Sequence, residues 1–444
     1  MRIYWGMAAG VLAIVIIFAF RSGNSADPVN LKETGTIKVE TAVAEEQIDT
    51  IKLPSAYDYR KIGRAPELGD QDFQGVCWAF ASLKALESSL LPGTPLELSV
   101  DHMVLHNSFS MSRNAGGEHT MSMAYLLAWQ GPVLESEDPY GDGYSPDGLK
   151  PCLHVQDIQL LPAKDYEAIK RMVYQYGGVQ SYLYTAIHNY QSESMYYNQE
   201  TNSYCYIGDE QPNDYCVIIG WDDNYSRDNF NMDLEGDGAF ICANSRGEDF
   251  GDQGYFYVSY YDASIGVHNI VYTGVEPVDN YDRIYQSDLC GWRGQMGYGR
   301  DNAWFANAYT AGKGENLEAA GFYATDQNTD YEIYVARHLG ETADQAFAQR
   351  VKAGAGHLRY AGFYTIPLEQ KIELDDGEKF ALIVKITTPG TVQPVAIEYD
   401  AGNGMAEIDL SDGEGYLSAD GDKWEHVEET KECNICLKAY TSGR

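Results

Sequence analysis

The 444-residue sequence predicts an α+β domain followed by an all-β sandwich. Three observations carry this. A segment with helical apolar spacing, CWAFASLKALESSLL, opens at Cys77 and is stopped by Pro92. In QPNDYCVIIGWDD the apolar run Cys216-Val217-Ile218-Ile219 is bounded by acidic and turn-forming residues and reads as a buried strand. After a junction at VEPVDNYD, residues 275–282, the texture changes to short alternating runs. These are YEIYVARHL, FALIVKI, VAIEYD and ICLKAYT, separated by turns such as Asp376-Gly377 and Asp420-Gly421.

At the N-terminus, Arg2 precedes an uncharged apolar run from Ile3 to Phe20, and Arg21 closes it. This predicts export, with residues 1–26 acting as a signal peptide or as an N-terminal membrane anchor. Cleavage after Ser25 or Ala26 fits the small residues there. Residues 27–50 are charged and aperiodic, as expected of a linker or short pro-region. The two globular parts then span 51–276 and 283–444. The net charge is −35, from 66 acidic against 31 basic residues, which argues against nucleic acid or an anionic membrane surface as a partner. Membrane contact is expected only through the N-terminal helix.

Chemistry concentrates around Cys77. A thiol at a helix N-terminus feels the positive end of the dipole, which favours the thiolate. Gln71, on the loop entering that helix, can aim its amide at an oxygen near the sulfur as an oxyanion donor. These two residues alone are equally compatible with a buried, inert cysteine. Their surroundings are more specific: Gln71-Asp-Phe-Gln-Gly-Val-Cys77-Trp-Ala-Phe80 resembles the nucleophile segment of papain-like cysteine peptidases. Further resemblances follow in chain order. Leu53-Pro-Ser-Ala-Tyr-Asp-Tyr-Arg60 is similar to the start of a mature domain, and Leu98-Ser-Val-Asp-His102 to the LSEQ-type turn. Asn114-Ala-Gly-Gly117, with a helical run to Trp129 and then EDPY, resembles the CNGG segment. Asn244-Ser-Arg-Gly-Glu-Asp-Phe-Gly-Asp-Gln-Gly-Tyr-Phe256 resembles NSWGxxWGxxGYF.

The resemblance implies a two-lobed papain-like peptidase domain. It makes Cys77 the nucleophile, Gln71 the oxyanion donor and Asn244 the residue that orients the base. Gly116 and Gly117 become the cleft wall on which substrate backbone pairs, and a polypeptide becomes the substrate or ligand. No cofactor or metal is implied.

Three positions depart from the family. Its pattern HAVxIVGW places the base six residues before Gly220, and here that residue is Asp214, flanked by Asn213 and Tyr215. Where the family has a Trp shielding the Asn–His hydrogen bond, this chain has Arg246, placed to pair with Asp214; the second Trp position is Phe250. An aspartate, with a reference pKa of about 3.9, is anionic near neutrality, cannot protonate a leaving amine and repels a neighbouring thiolate. Cleavage is therefore expected to be severely impaired. The alternative is a dead pseudopeptidase that binds peptides or glycans at a cell surface. Of the nine histidines, His119 near the glycine wall and His188 in a loop-rich stretch are the candidates for a substitute base.

Residues from about 283 onward resemble the lectin-like domain that follows some exported bacterial peptidases. The matching text is Tyr285-Gln-Ser-Asp-Leu-Cys-Gly-Trp292, Ala303-Trp-Phe-Ala-Asn307, YEIYV and Cys436-Leu-Lys-Ala-Tyr-Thr441. This implies carbohydrate as a candidate ligand, without marking a sugar-binding residue. The eight cysteines show no dense disulfide framework. Cys433-Asn-Ile-Cys436 lies in an apolar run where a strand would point the two sulfurs to opposite faces, against a metal or redox role. Asp233-Leu-Glu-Gly-Asp237-Gly238 partly follows a calcium loop, but its twelfth position is Asn244 rather than Glu, so an acidic loop is expected.

Overall fold

The computed structural model describes residues 51–186, 194–340 and 342–443. The expectations for residues 1–26 and 27–50, and for His188, lie outside the described residues.

The predicted helix runs Cys77–Leu90 and buries Phe80, Leu83, Leu86 and Leu90 along one face. It packs between the helix His119–Leu127 and the strand Asp214–Asp222. That strand is the buried run read from the sequence, extended at both ends. Val179–Leu183 pairs with its one edge, Ala239–Ala243 with the other, and Tyr255–Ser259 lies beyond. Gly220 is where the short N-terminal strand Ala56–Asp58 crosses it, and a Cβ there would stand 2.2 Å from the Tyr57 carbonyl oxygen. Only glycine permits that approach.

The C-terminal part is a sandwich. One layer contains Asn302–Thr310, Thr329–Arg337, Val351–Leu358 and Lys379–Thr387, with Gly415–Ser418 and Glu425–His426 at its edge. The other contains Arg283–Tyr285, Glu315–Ala324, Ala361–Leu374 and Leu437–Gly443. Phe305, Phe322, Ile333, Leu382, Val384 and Leu437 pack between them. Cys433 faces this core while Cys436 joins the core of the N-terminal part, so the two sulfurs do point to opposite sides.

The two parts share a sheet, which the sequence does not show. Ala361–Leu374 pairs antiparallel with His154–Leu161, through Ala361↔Leu160, Gly362↔Gln159 and Phe363↔Ile158. The second sandwich layer and the N-terminal strands thereby form one continuous sheet, of thirteen strands among the described residues. Thr365 N–H donates to Asp157 Oδ1 at 2.9 Å, and Trp129 stacks on His154 with ring centroids 3.7 Å apart. Gly362 makes the junction possible: its φ is +141°, and a Cβ would stand 2.1 Å from the Ile158 carbonyl oxygen. Gly362→Val is expected to cost about 3 kcal/mol of stability by forcing those two backbones apart. Thermal denaturation checks it, and an unchanged Tm contradicts it.

Candidate active site

Cys77 is the first residue of its helix, after Val76, which offers no side-chain cap. The backbone N–H groups of Trp78 and Tyr215 lie near enough to its sulfur to favour the charged form. Across the cleft, Asp214 heads the Asp214–Asp222 strand and is only 5% exposed. Burial first, and then the neighbouring Asp214 carboxylate, push the Cys77 thiol well above its ordinary value. The helix N-terminus and the two N–H donors work in the opposite sense without offsetting this. Burial, with Asp214 adding to it, thus keeps the proton on sulfur, where an imidazolium would stabilise the thiolate.

Arg246 Nη2 donates to Asp214 Oδ2 at 3.1 Å, with the arginine side chain 28% exposed. The site therefore holds a carboxylate–guanidinium pair in place of a neutral shield over an imidazole. Asn244 is buried beside it, and its Oδ1 has no hydrogen-bond partner. An orphaned buried acceptor is costly. In the family this residue orients the base, and the acceptor that would take an imidazole N–H is the atom left unpaired here.

Gln71 is stitched to the same segment. Its backbone N–H donates to the Ser245 carbonyl at 2.8 Å, and the Ser245 hydroxyl donates to Gln71 Oε1 at 2.5 Å. Gln71 Nε2 donates one N–H to the Gln74 carbonyl at 2.9 Å, and the amide carries a second donor hydrogen. Tyr140, which the sequence did not single out, steadies the loop through a 3.0 Å bond to the Gln71 carbonyl.

On the facing wall, Gly116 has φ +81°, which favours glycine. A Cβ on Gly117 would stand 2.5 Å from the Trp78 ring. Glycine at 117 thus packs directly on the Trp78 indole. His119 does not stand as a substitute base: its Nδ1 is bonded to the Tyr182 hydroxyl at 2.9 Å. Burial and the neighbouring His268 hold its pKa down at about 4.

The thiol's raised pKa sets a pH dependence. Alkylation of Cys77 by iodoacetamide is expected to be slow at mildly acidic pH and to rise about tenfold per pH unit through pH 9, because the thiolate fraction grows until the raised pKa is passed. Peptide mass spectrometry reads the rate, and a plateau in the acidic range contradicts it.

Residues 53–275 match the profile of papain family cysteine proteases, and residues 284–441 match that of the lectin-like domain. The chain belongs to the papain family of cysteine proteases, with a lectin-like domain attached. Among solved structures it is similar to the clostridial cysteine protease Cwp84 after propeptide cleavage, with 26% identity and a TM-score of 0.78, covering 88% of this chain and 100% of that one. A second structure, of the protease and lectin-like domains of Cwp84, "a surface layer associated protein of Clostridium difficile", gives 25% identity and a TM-score of 0.76, covering 89% of this chain and 90% of that one. Curated relatives include cathepsin K of Mus musculus, 24% identical over 46% of this chain, and cathepsin K of Gallus gallus, 28% identical over 46%. The matches span 59% and 58% of those relatives' own length.

Proposed function

We propose that this chain holds polypeptides in its papain-type cleft at the cell surface while cutting them poorly or not at all. The observation that carries this reading is the Asp214–Arg246 pair at 3.1 Å beside an unpartnered Asn244 Oδ1. A carboxylate there favours the protonated thiol and has no proton to give a leaving amine. In this reading Cys77, Gln71 and Asn244 hold the family's nucleophile, oxyanion and orienting positions, Asn244 with no base to orient, and Gly116 and Gly117 form the substrate wall. The apolar run Ile3–Phe20 and the surface-layer association of Cwp84 support export and surface display. The lectin-like domain supports a carbohydrate ligand as a second anchor. To test the reading, the chain is immobilised and offered a mixed peptide library, with Cys77→Ala as blank. Peptides are expected to be retained and returned intact. Cys77-dependent fragments accumulating at ordinary peptidase rates would overturn the reading.

A further inference from the structure

Beside the paired strands His154–Leu161 and Ala361–Leu374, where the two domains share a sheet, lies a cavity of about 460 Å³. Both domains build it. Asp157, Gln159 and Tyr176 line it from the protease side, and Tyr331, His357 and Tyr364 from the lectin-like side. The Asp157 carboxylate is held by the Thr365 N–H, which donates to Oδ1 at 2.9 Å. Gln159 is 6% exposed, and its Oε1 has no hydrogen-bond partner. A buried amide oxygen left in that state is costly unless a ligand donates to it. Tyr331 rests edge-on against Phe322 of the sandwich core, with ring centroids 5.5 Å apart. A Cβ at position 356 would stand 2.5 Å from the Tyr331 hydroxyl, so Gly356 leaves that phenol its place. His357 is exposed at the rim, its Nδ1 bonded to Asp330 Oδ1 at 2.8 Å. Among the described residues, no lysine or arginine lines the cavity.

These groups select a class of ligand. The volume suits a small molecule or the end of a chain. A pyranose ring presents a face of C–H groups and an edge of hydroxyls. Tyrosine rings offer an apolar surface to the first, and carboxylate and amide oxygens accept from the second. An anionic sugar would meet the Asp157 carboxylate with no cation in the lining to offset it. We infer that this cavity binds a pyranose unit of a neutral glycan, with Asp157 and Gln159 accepting from its hydroxyls, Tyr331 against its ring face and His357 closing the rim. This rests on the carbohydrate-anchor reading above and makes the site a joint property of the two domains.

The test titrates the full chain with the methyl glycosides of glucose, galactose, mannose, N-acetylglucosamine and glucuronic acid, read by ligand-observed NMR. At least one neutral glycoside is expected to bind, and the glucuronide at least about tenfold more weakly. Gln159→Leu, which keeps most of the side-chain volume, and His357→Ala, at an exposed position, should each weaken the neutral glycoside by about fivefold or more. Undiminished binding in both variants would put the sugar elsewhere; it overturns this inference and leaves the carbohydrate reading standing. A glucuronide that binds as tightly as the neutral glycosides does the same. Absence of binding by every glycoside overturns the carbohydrate reading and this inference with it. His357 lies at the surface, so a Gln159→Leu protein that fails to fold does not remove the test.

Discussion

Replacing Asp214 by histidine is expected to raise Cys77-dependent peptide cleavage by about 10³-fold or more. In a serine-protease triad, loss of the base alone costs on the order of 10⁶ in turnover, and part of that should return when an imidazole is restored. The rest of the site is in place to receive it. Asn244 Oδ1 is buried and unpaired, ready to accept an imidazole N–H. Gln71 is fixed by Ser245 and Tyr140. Removing the carboxylate also removes the charge that adds to burial in keeping the thiol protonated. Arg246 is the obstacle, because with Asp214 gone its guanidinium would oppose formation of the imidazolium. The double variant Asp214→His, Arg246→Trp should therefore exceed the single one, by about tenfold. Single-turnover cleavage of a fluorogenic peptide, with Cys77→Ala as blank, reads both. A parent chain already as fast as either variant would place the base elsewhere and make Asp214 irrelevant to turnover.

The elements that sequence could supply were those set by local periodicity or by adjacency to a motif. The helix opening at Cys77, the strand headed by Asp214 and the pairing of Arg246 with that carboxylate all follow from neighbours within a few residues, or from counting along a family pattern. Sequence could not supply relations between distant segments. The continuous sheet depends on residues near 158 meeting residues near 363, and nothing in either run names its partner. Gly362 was the local signal, a glycine inside a strand, which marks a close backbone approach without saying to what. The bonds from His119 to the Tyr182 and Tyr215 hydroxyls were hidden for the same reason, since the three residues come from separate elements. Gly117 came to the wall from the motif, while its packing on the Trp78 ring is visible only in three dimensions.

The second large effect concerns stability and lies where the lectin-like domain meets the protease domain. Lys438 is 1% exposed and Asp288 is fully buried, and Lys438 Nζ donates to Asp288 Oδ1 at 2.8 Å. Lys438 Nζ also donates to Gln286 Oε1 at 2.8 Å. Burial pushes the Asp288 carboxyl up, and the Lys438 charge only partly counters it. Lys438→Met removes the cation while keeping most of the side-chain volume, so the carboxylate is left without its counter-charge. The expected cost is about 3–5 kcal/mol, the range found when one partner of a buried pair is deleted. The sign of its pH dependence follows. Without Lys438 the folded-state pKa of Asp288 rises further, so the folded chain binds more protons than the unfolded one. Stability then falls as pH rises from the ordinary carboxylate range toward that raised value. The deficit relative to the parent should thus be smaller near pH 5 than at pH 7.5. Replacing both partners, Lys438→Met with Asp288→Leu, should recover most of the loss, because the desolvation penalty disappears along with the charge. Urea denaturation of the three proteins at both pH values reads the outcome. A single variant within about 1 kcal/mol of the parent at pH 7.5 would mean that Asp288 is already protonated there and that the pair contributes little.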